Sequence, residues 1–280
     1  MIEQLDGDEF IVLLLSVALS IWALFRLRIA PLHQLFIKDN IGIGLIRLSV
    51  LLSLCWFLYV IKYYADQSVV GIYIYFYLIM GYALTRNLGQ FALEVCGISL
   101  RVDVYERKNR AAAVLFAAFT ISTGIIFGAS LWGDADAFGD DEGGWWIPLI
   151  FFMLGWGSLL LVFLLYLLRE RPPLVRNVRQ DRNPVAAQAA AAYLISSSIV
   201  IADAVAGDFF GWWESLRSFA YISGLLIVHE IFSTLVHKHD DYVDYEPPSE
   251  AVAGRWWEIL SYFALVLFSW IINRVIEKFL

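Results

Sequence analysis

The sequence predicts an all-α fold: a polytopic membrane helix bundle of eight transmembrane helices containing three parallel tandem two-helix repeats. Three observations carry that reading. There are eight long apolar runs, the basic residues crowd one set of loops, and the chain repeats itself at an offset of 74 residues. Composition agrees, since only 17% of the 280 residues are charged and 60% are apolar, where a soluble domain carries about a quarter charged residues.

The apolar runs are Phe10–Phe25, Ile41–Ile61, Val69–Leu84, Ala111–Trp132, Trp145–Leu168, Val185–Val205, Ser215–Val236 and Trp256–Ile272. Each approaches or exceeds the roughly 20 residues that cross hydrocarbon as a helix. In lipid every backbone N–H and C=O must be satisfied within its own segment, so these runs read as helices. Met1–Glu9 holds Glu3, Asp6, Asp8 and Glu9 but no Lys or Arg. A secretory signal needs a basic start, so the first run is expected to be retained.

Charge sets the orientation. Arg26, Arg28 and Lys38 follow the first run, and Arg86, Arg101, Arg107, Lys108 and Arg110 follow the third. Arg169, Arg171, Arg176, Arg179 and Arg182 follow the fifth, and Lys238 and Arg255 the seventh. Fifteen of the twenty Lys and Arg residues thus fall on one side, which marks the cytoplasm. The opposite loops are short or acidic, as at Asp134, Asp136, Asp140, Asp141 and Glu142. Both termini are expected outside the cytoplasm. The net charge of −7 comes largely from such acidic segments and predicts no nucleic-acid partner. Cys55 and Cys96 are expected to be free and buried, behaving as small apolar residues.

The repeat is densest at the starts of the fourth and sixth runs. At an offset of 74, Ala112, Ala113, Ala117, Ala118, Ile121, Ser122, Ile125, Gly133 and Asp134 recur as Ala186, Ala187, Ala191, Ala192, Ile195, Ser196, Ile199, Gly207 and Asp208. Gly144-Trp145-Trp146 and Gly211-Trp212-Trp213 open the helices that follow. A weaker copy begins at Lys38-Asp39-Asn40, and a serine follows each Asn by thirteen residues, at Ser53, Ser122 and Ser196. Small residues on one helix face allow close approach in lipid, where contact drives packing. Two-helix units repeat in the same orientation, which implies an axis along the membrane normal. The whole is one membrane domain: helix one over 10–37, repeats over 38–100, 101–172 and 173–238, a polar cytoplasmic loop over 239–255, and helix eight over 256–280. Asn40, Asn109 and Asn183 stand at the cytoplasmic starts of the repeats and are candidate N-caps, with Pro184 suited to the first helical turn. The Trp pairs Trp145-Trp146, Trp212-Trp213 and Trp256-Trp257 fit interfacial belts, with ligand stacking as the alternative.

One or two charges, then Asn, then a helix rich in small residues, repeated in paired helices, resembles the YjfL-type bacterial inner-membrane protein family of unknown function. The resemblance spans Lys38–Val236 and rests most on Arg107-Lys108-Asn109-Arg110-Ala111-Ala112-Ala113 and Asp181-Arg182-Asn183-Pro184-Val185-Ala186-Ala187. The first copy departs from it, since Asn40-Ile41-Gly42-Ile43-Gly44 lacks the alanines. The resemblance implies a bacterial inner membrane and brings no catalytic residues.

Ionisable residues inside the membrane are the candidate functional positions. Arg47 lies seven residues into the second run, and Glu230 seven residues before His237, so the two should share a depth and can pair. Snorkelling of Arg47 to the headgroups or a pore-lining role are the alternatives. Asp203 and Arg217 form a candidate pair near the outer face. His229-Glu230 lacks the second histidine of a helical zinc motif, because position 233 is Ser. His237 and His239 carry donors suited to divalent ions or are simply solvated, and no metal is assigned. A nucleophilic Ser130 would need a base in reach, and His229 lies near the other face. No phosphate loop, dinucleotide fingerprint or cysteine cluster occurs, so neither a cofactor nor an enzymatic activity is expected. The remaining classes are a small solute or ion transporter with a site along the repeat axis, lined by Arg47, Ser53, Ser122, Ser196 and Glu230, and a non-transporting subunit or scaffold. The latter would bind a protein partner or a second copy through small-residue faces and cytoplasmic loops. The lipid bilayer is a partner in either case.

Overall fold

A computed structural model describes residues 6–25, 40–134, 144–170, 173–209, 212–240, 256, 259–269 and 271. Among them the fold is all-helical. The helices are α1 (Gly7–Phe25), α2 (Ile41–Tyr63), α3 (Ile72–Val95), α4 (Arg110–Ser130), α5 (Trp146–Arg169), the short α6 (Leu174–Arg179), α7 (Pro184–Val205), α8 (Trp212–Asp240) and α9 (Ile259–Ser269). A π-helical turn, Leu100–Glu106, precedes α4. The expected loop 239–255 lies outside the described residues from 241 onward, as do 135–143 and most of the last fifteen residues.

Five helices, α1, α2, α4, α5 and α7, are long and apolar enough to cross a membrane, which supports a multi-pass membrane protein and is fewer than the eight spans expected. The shortfall has a physical origin. Helix α3 does not stop at Leu84 but continues through Arg86, Asn87, Gln90 and Glu94 to Val95, so polar residues dilute it. Helix α8 likewise carries Arg217, Glu230 and Lys238, and α9 is described over too few residues.

Helix α4 is the centre of the bundle, with 83% of its most apolar stretch buried against 17% for α1. Both α2 and α7 pack extensively on α4 but scarcely on each other, so the three Asn-led helices form a row. The partner helices lie outside it: α3 on α4 and α2, α5 on α7 and α4, α8 on α7 and α5, and α1 on α3. Small residues make the row possible. A Cβ on Gly42 would come within 2.7 Å of Ala113 Cβ, and a Cβ on Gly124 would strike the Ser53 side chain. Gly128 accommodates the Trp56 indole, whose Nε1 donates to the Ile125 carbonyl at 3.3 Å. Across the other side, Gly89 of α3 lies so close to α4 that a Cβ would sit 2.9 Å from Thr120 Cα.

The two ends of the row are built alike. At the end where α4 and α7 begin, Asn109 accepts from the amides of Ala111 and Ala112, and Asn183 from those of Val185 and Ala186. The residues just before them, Lys108 and Arg182, both take left-handed backbone at φ 51° and 50°. Asn109 N–H donates to Asp103 O at 2.9 Å and Asn183 N–H to Asn177 O at 3.0 Å, again 74 residues apart. Neighbouring units are also tied to each other: Asn40 Nδ2 donates to Val104 O at 2.8 Å, and Asn109 Nδ2 to Val178 O at 2.7 Å. Asn40 departs from the expected capping role. It occupies the N-cap position of α2 with φ −135° and makes no side-chain cap bond, although its amide nitrogen donates to Val104 O as that of Asn109 does to Val178 O.

At the opposite end Gly133 N–H donates to Tyr64 O at 3.0 Å and Gly207 N–H to Trp132 O at 2.8 Å. Both glycines take positive φ, 109° and 126°, a region costly for other residues. A Cβ on Gly133 would run into the Gly207 backbone. Asp66 opens the turn into α3. Burial works to raise its carboxyl, but the Ser68 hydroxyl and the Ser68 and Gln67 amides outweigh that and hold it below its ordinary value.

Cys55 and Cys96 are free, but neither is buried: Cys55 is exposed and Cys96 half-buried. Of the paired tryptophans, Trp146 stacks on Trp212 at 5.7 Å and Trp145 donates to Asp8 at 2.9 Å, while Trp213 and Trp256 are exposed.

Candidate functional site: a buried ion pair among tyrosines

Glu230 lies in the C-terminal half of α8, ten residues before Asp240 ends the helix. Arg169 is the last residue of α5. Arg169 Nη1 and Glu230 Oε1 are 3.3 Å apart, and each side chain is only 2% exposed. Removing both charges from water costs several kcal/mol per ion, which the surroundings must offset. Arg169 Nη2 donates to the Tyr262 hydroxyl of α9 at 2.8 Å, and the guanidinium lies 4.8 Å from the centre of the Tyr166 ring. Tyr166 stacks on Tyr193 of α7 at 4.6 Å, and Tyr193 meets Tyr262 edge-on at 5.0 Å. The Tyr193 hydroxyl donates to Val162 O at 3.1 Å and stands close enough to interact with both Glu230 and Arg169. His229 completes the set, half-buried, 6.1 Å from the Tyr262 ring. Four helices thus converge on one pair of charges.

The expected partner of Glu230 was Arg47, and that expectation is corrected here: Glu230 meets Arg169. The reason is position in the row. Arg47 is on α2, which packs against α3 and α4, whereas α8 packs against α5 and α7. Equal depth in the membrane brings residues together only when their helices are neighbours. Arg47 is half-buried and near enough to Arg86 of α3 for the two charges to act on each other.

The other expected positions divide by place. Ser53 donates to Ser49 O at 2.9 Å and abuts Gly124. Ser122 and Ser196 are buried, and their hydroxyls have no hydrogen-bond partner among the described residues. Asp203 is half-buried near the C-terminal end of α7, and Arg217 is exposed near the start of α8. His237 and His239 lie in the last turn of α8, and their side chains fall outside those described.

Arg169, Tyr166, Tyr193 and Tyr262 escape a reading of the sequence. Arg169 ends an apolar run and so counts as a cytoplasmic loop charge, though the helix carries it inside. A signal existed in the tyrosines, polar-tipped residues in the inner halves of the fifth, sixth and eighth runs at the level of Glu230.

A second buried charge ties the units together at the end of the bundle where α4 and α7 begin. Asp103 is fully buried and takes Arg107 Nη1 and Arg179 Nε, each at 3.3 Å, and the Ser99 amide at 2.8 Å. It joins the π-turn before α4 to α6 before α7.

The chain matches no family model, no characterised protein and no solved structure.

Proposed function

We propose that this protein is a non-transporting membrane subunit or scaffold, multi-pass in a bacterial inner membrane, with eight spans and both termini outside the cytoplasm. The observation that carries it is the seam of the row. Ser53 abuts Gly124 and Gly42 abuts Ala113, so small residues that would line an axial path are spent on helix contact. The flanking of α4 by α2 and α7, which scarcely meet each other, supports a row of described helices over a ring around a shared axis. Eight spans are supported by length: the 24 residues of α3 and 29 of α8 reach about 36 and 43 Å at 1.5 Å per residue, enough for the roughly 30 Å core. Their polar side chains Gln90 and Glu230 are buried in protein, which removes the cost of facing lipid. The sequence pattern of Asn-led helices rich in small residues resembles that of the YjfL-type family, and the chain is proposed as a member. With the small-residue faces engaged within the chain, a partner meets the cytoplasmic edge. Arg101, Arg107, Lys108, Arg110, Arg176 and Arg182 are exposed there and suit an acidic surface.

A transporter is the second reading, favoured by the buried Arg169–Glu230 pair, since intramembrane charges commonly mark substrate or ion pathways. Thiol accessibility separates the two. In a chain carrying Cys55→Ser and Cys96→Ser, the single variants Ser53→Cys, Ser122→Cys and Ser196→Cys should resist a membrane-impermeant maleimide from both sides. Rapid modification of Ser122→Cys in intact membranes would replace the scaffold reading with the transporter.

A further inference from the structure

The aromatic shell around Arg169 does more than dilute a charge. It gives the guanidinium partners other than Glu230: the Tyr262 hydroxyl at 2.8 Å and the Tyr166 ring at 4.8 Å. A cation over an aromatic face is drawn to the ring's electron density, most strongly in a desolvated site, and a hydrogen bond to a charged group is stronger than one between neutral groups. Arg169 is therefore held in place on two sides by groups that do not depend on the ionisation of Glu230. An ordinary buried pair lacks this property, and breaking it leaves an uncompensated charge.

Space limits what the site takes. Both charged side chains are 2% exposed, and the rings of Tyr166, Tyr193 and Tyr262 are in mutual contact. No solute fits without parting four helices, whereas a proton needs no volume. His229 adjoins Glu230 in the chain, is half-buried where Glu230 is buried, and faces Tyr262, so it is placed to relay a proton toward the surface.

We propose that the Glu230 carboxylate is a reversible proton-binding site inside the membrane, and that Arg169 is handed to Tyr262 and Tyr166 while the proton is bound. The step is a protonation alone. Glu230 gains one O–H bond, Arg169 keeps its charge, and the pair passes from net zero to one positive charge. The groups facing the pair are Arg169 and Tyr166 from α5, Tyr193 from α7, Tyr262 from α9 and His229 from α8 itself. The site is independent of the scaffold reading, because a proton bound there can loosen α8 from α5 whether or not anything crosses the membrane.

Infrared difference spectroscopy of the full chain in lipid nanodiscs tests this. On stepping from neutral to mildly acidic pH, the wild type should develop the carbonyl stretch of a protonated, buried carboxylic acid, and return should abolish it. Glu230→Gln, which resembles the protonated state in shape, should lack the band. Should Glu230→Gln fail to fold, Glu230→Asp keeps the acid one methylene shorter and must shift the band in frequency. His229→Gln should slow the appearance of the band without removing it. Absence of the band in the wild type, or a band unmoved by Glu230→Gln or Glu230→Asp, overturns the proposal. The maleimide experiment above is unaffected by either result, so the two readings fail separately.

Discussion

Asn109 does two jobs with one side chain. Its oxygen caps α4 through the Ala111 and Ala112 amides, and its nitrogen satisfies the buried Val178 carbonyl. Loss of a cap costs about 1 kcal/mol, and orphaning a buried carbonyl about 1–3 kcal/mol more. Asn109→Ala should therefore lower stability by about 2–4 kcal/mol. Asn183→Ala, which removes only cap bonds among those described, should cost about 1 kcal/mol. Thermal unfolding of the two variants in the same detergent checks the order, and equal losses would mean that the bond to Val178 contributes nothing. Gly133 is the sharper case. Its φ of 109° already costs a side-chain-bearing residue about 1–2 kcal/mol, and the Gly207 backbone occupies the space a Cβ needs. Gly133→Ala should abolish most folded protein on size-exclusion chromatography, while Gly44→Ala, with open space around it, should leave the yield unchanged.

Among the elements, the junction of α5 with α8 depends on the buried pair. A double-mutant cycle reads its coupling. Arg169→Leu should destabilise by about 3–5 kcal/mol, since it leaves the buried Glu230 charge unmatched, and Glu230→Leu should cost less, because Tyr262 and Tyr166 still hold the guanidinium. The combined variant should recover a large part of that loss. Simple additivity would show that the two side chains do not interact. Depth predicts Arg47 as the partner and adjacency delivers Arg169, because a charge at the end of an apolar run reads as loop until its helix is seen to turn it inward. The short helical turns before α4 and α7 went unread for a related reason. Leu100 and Leu174, and Val104 and Val178, stand 74 apart and are buried, but a pair of apolar residues in a basic segment has no periodicity to announce it.

At the scale of the whole molecule, the membrane topology is the open prediction. With an even number of spans, a reporter fused after Leu280 should be active only outside the cytoplasm. Activity in the cytoplasm would mean that one of α3, α8 or α9 does not cross. What the amino-acid order determined by itself is the class and the grammar. Apolar length requires helices, since lipid satisfies no backbone polar group, and the 74-residue offset locates the asparagines and glycines whose geometry recurs at both ends of α4 and α7. Those are local properties, set within a few turns of one helix. Only the tertiary structure decided that α2, α4 and α7 form a row instead of a ring, that Ser53 abuts Gly124, and that Glu230 meets Arg169. Each of these depends on which helices are neighbours, and in a bundle where every helix offers lipid-compatible faces, neighbours are chosen by the fit of small residues against large ones, a property of two helices together that no single segment contains.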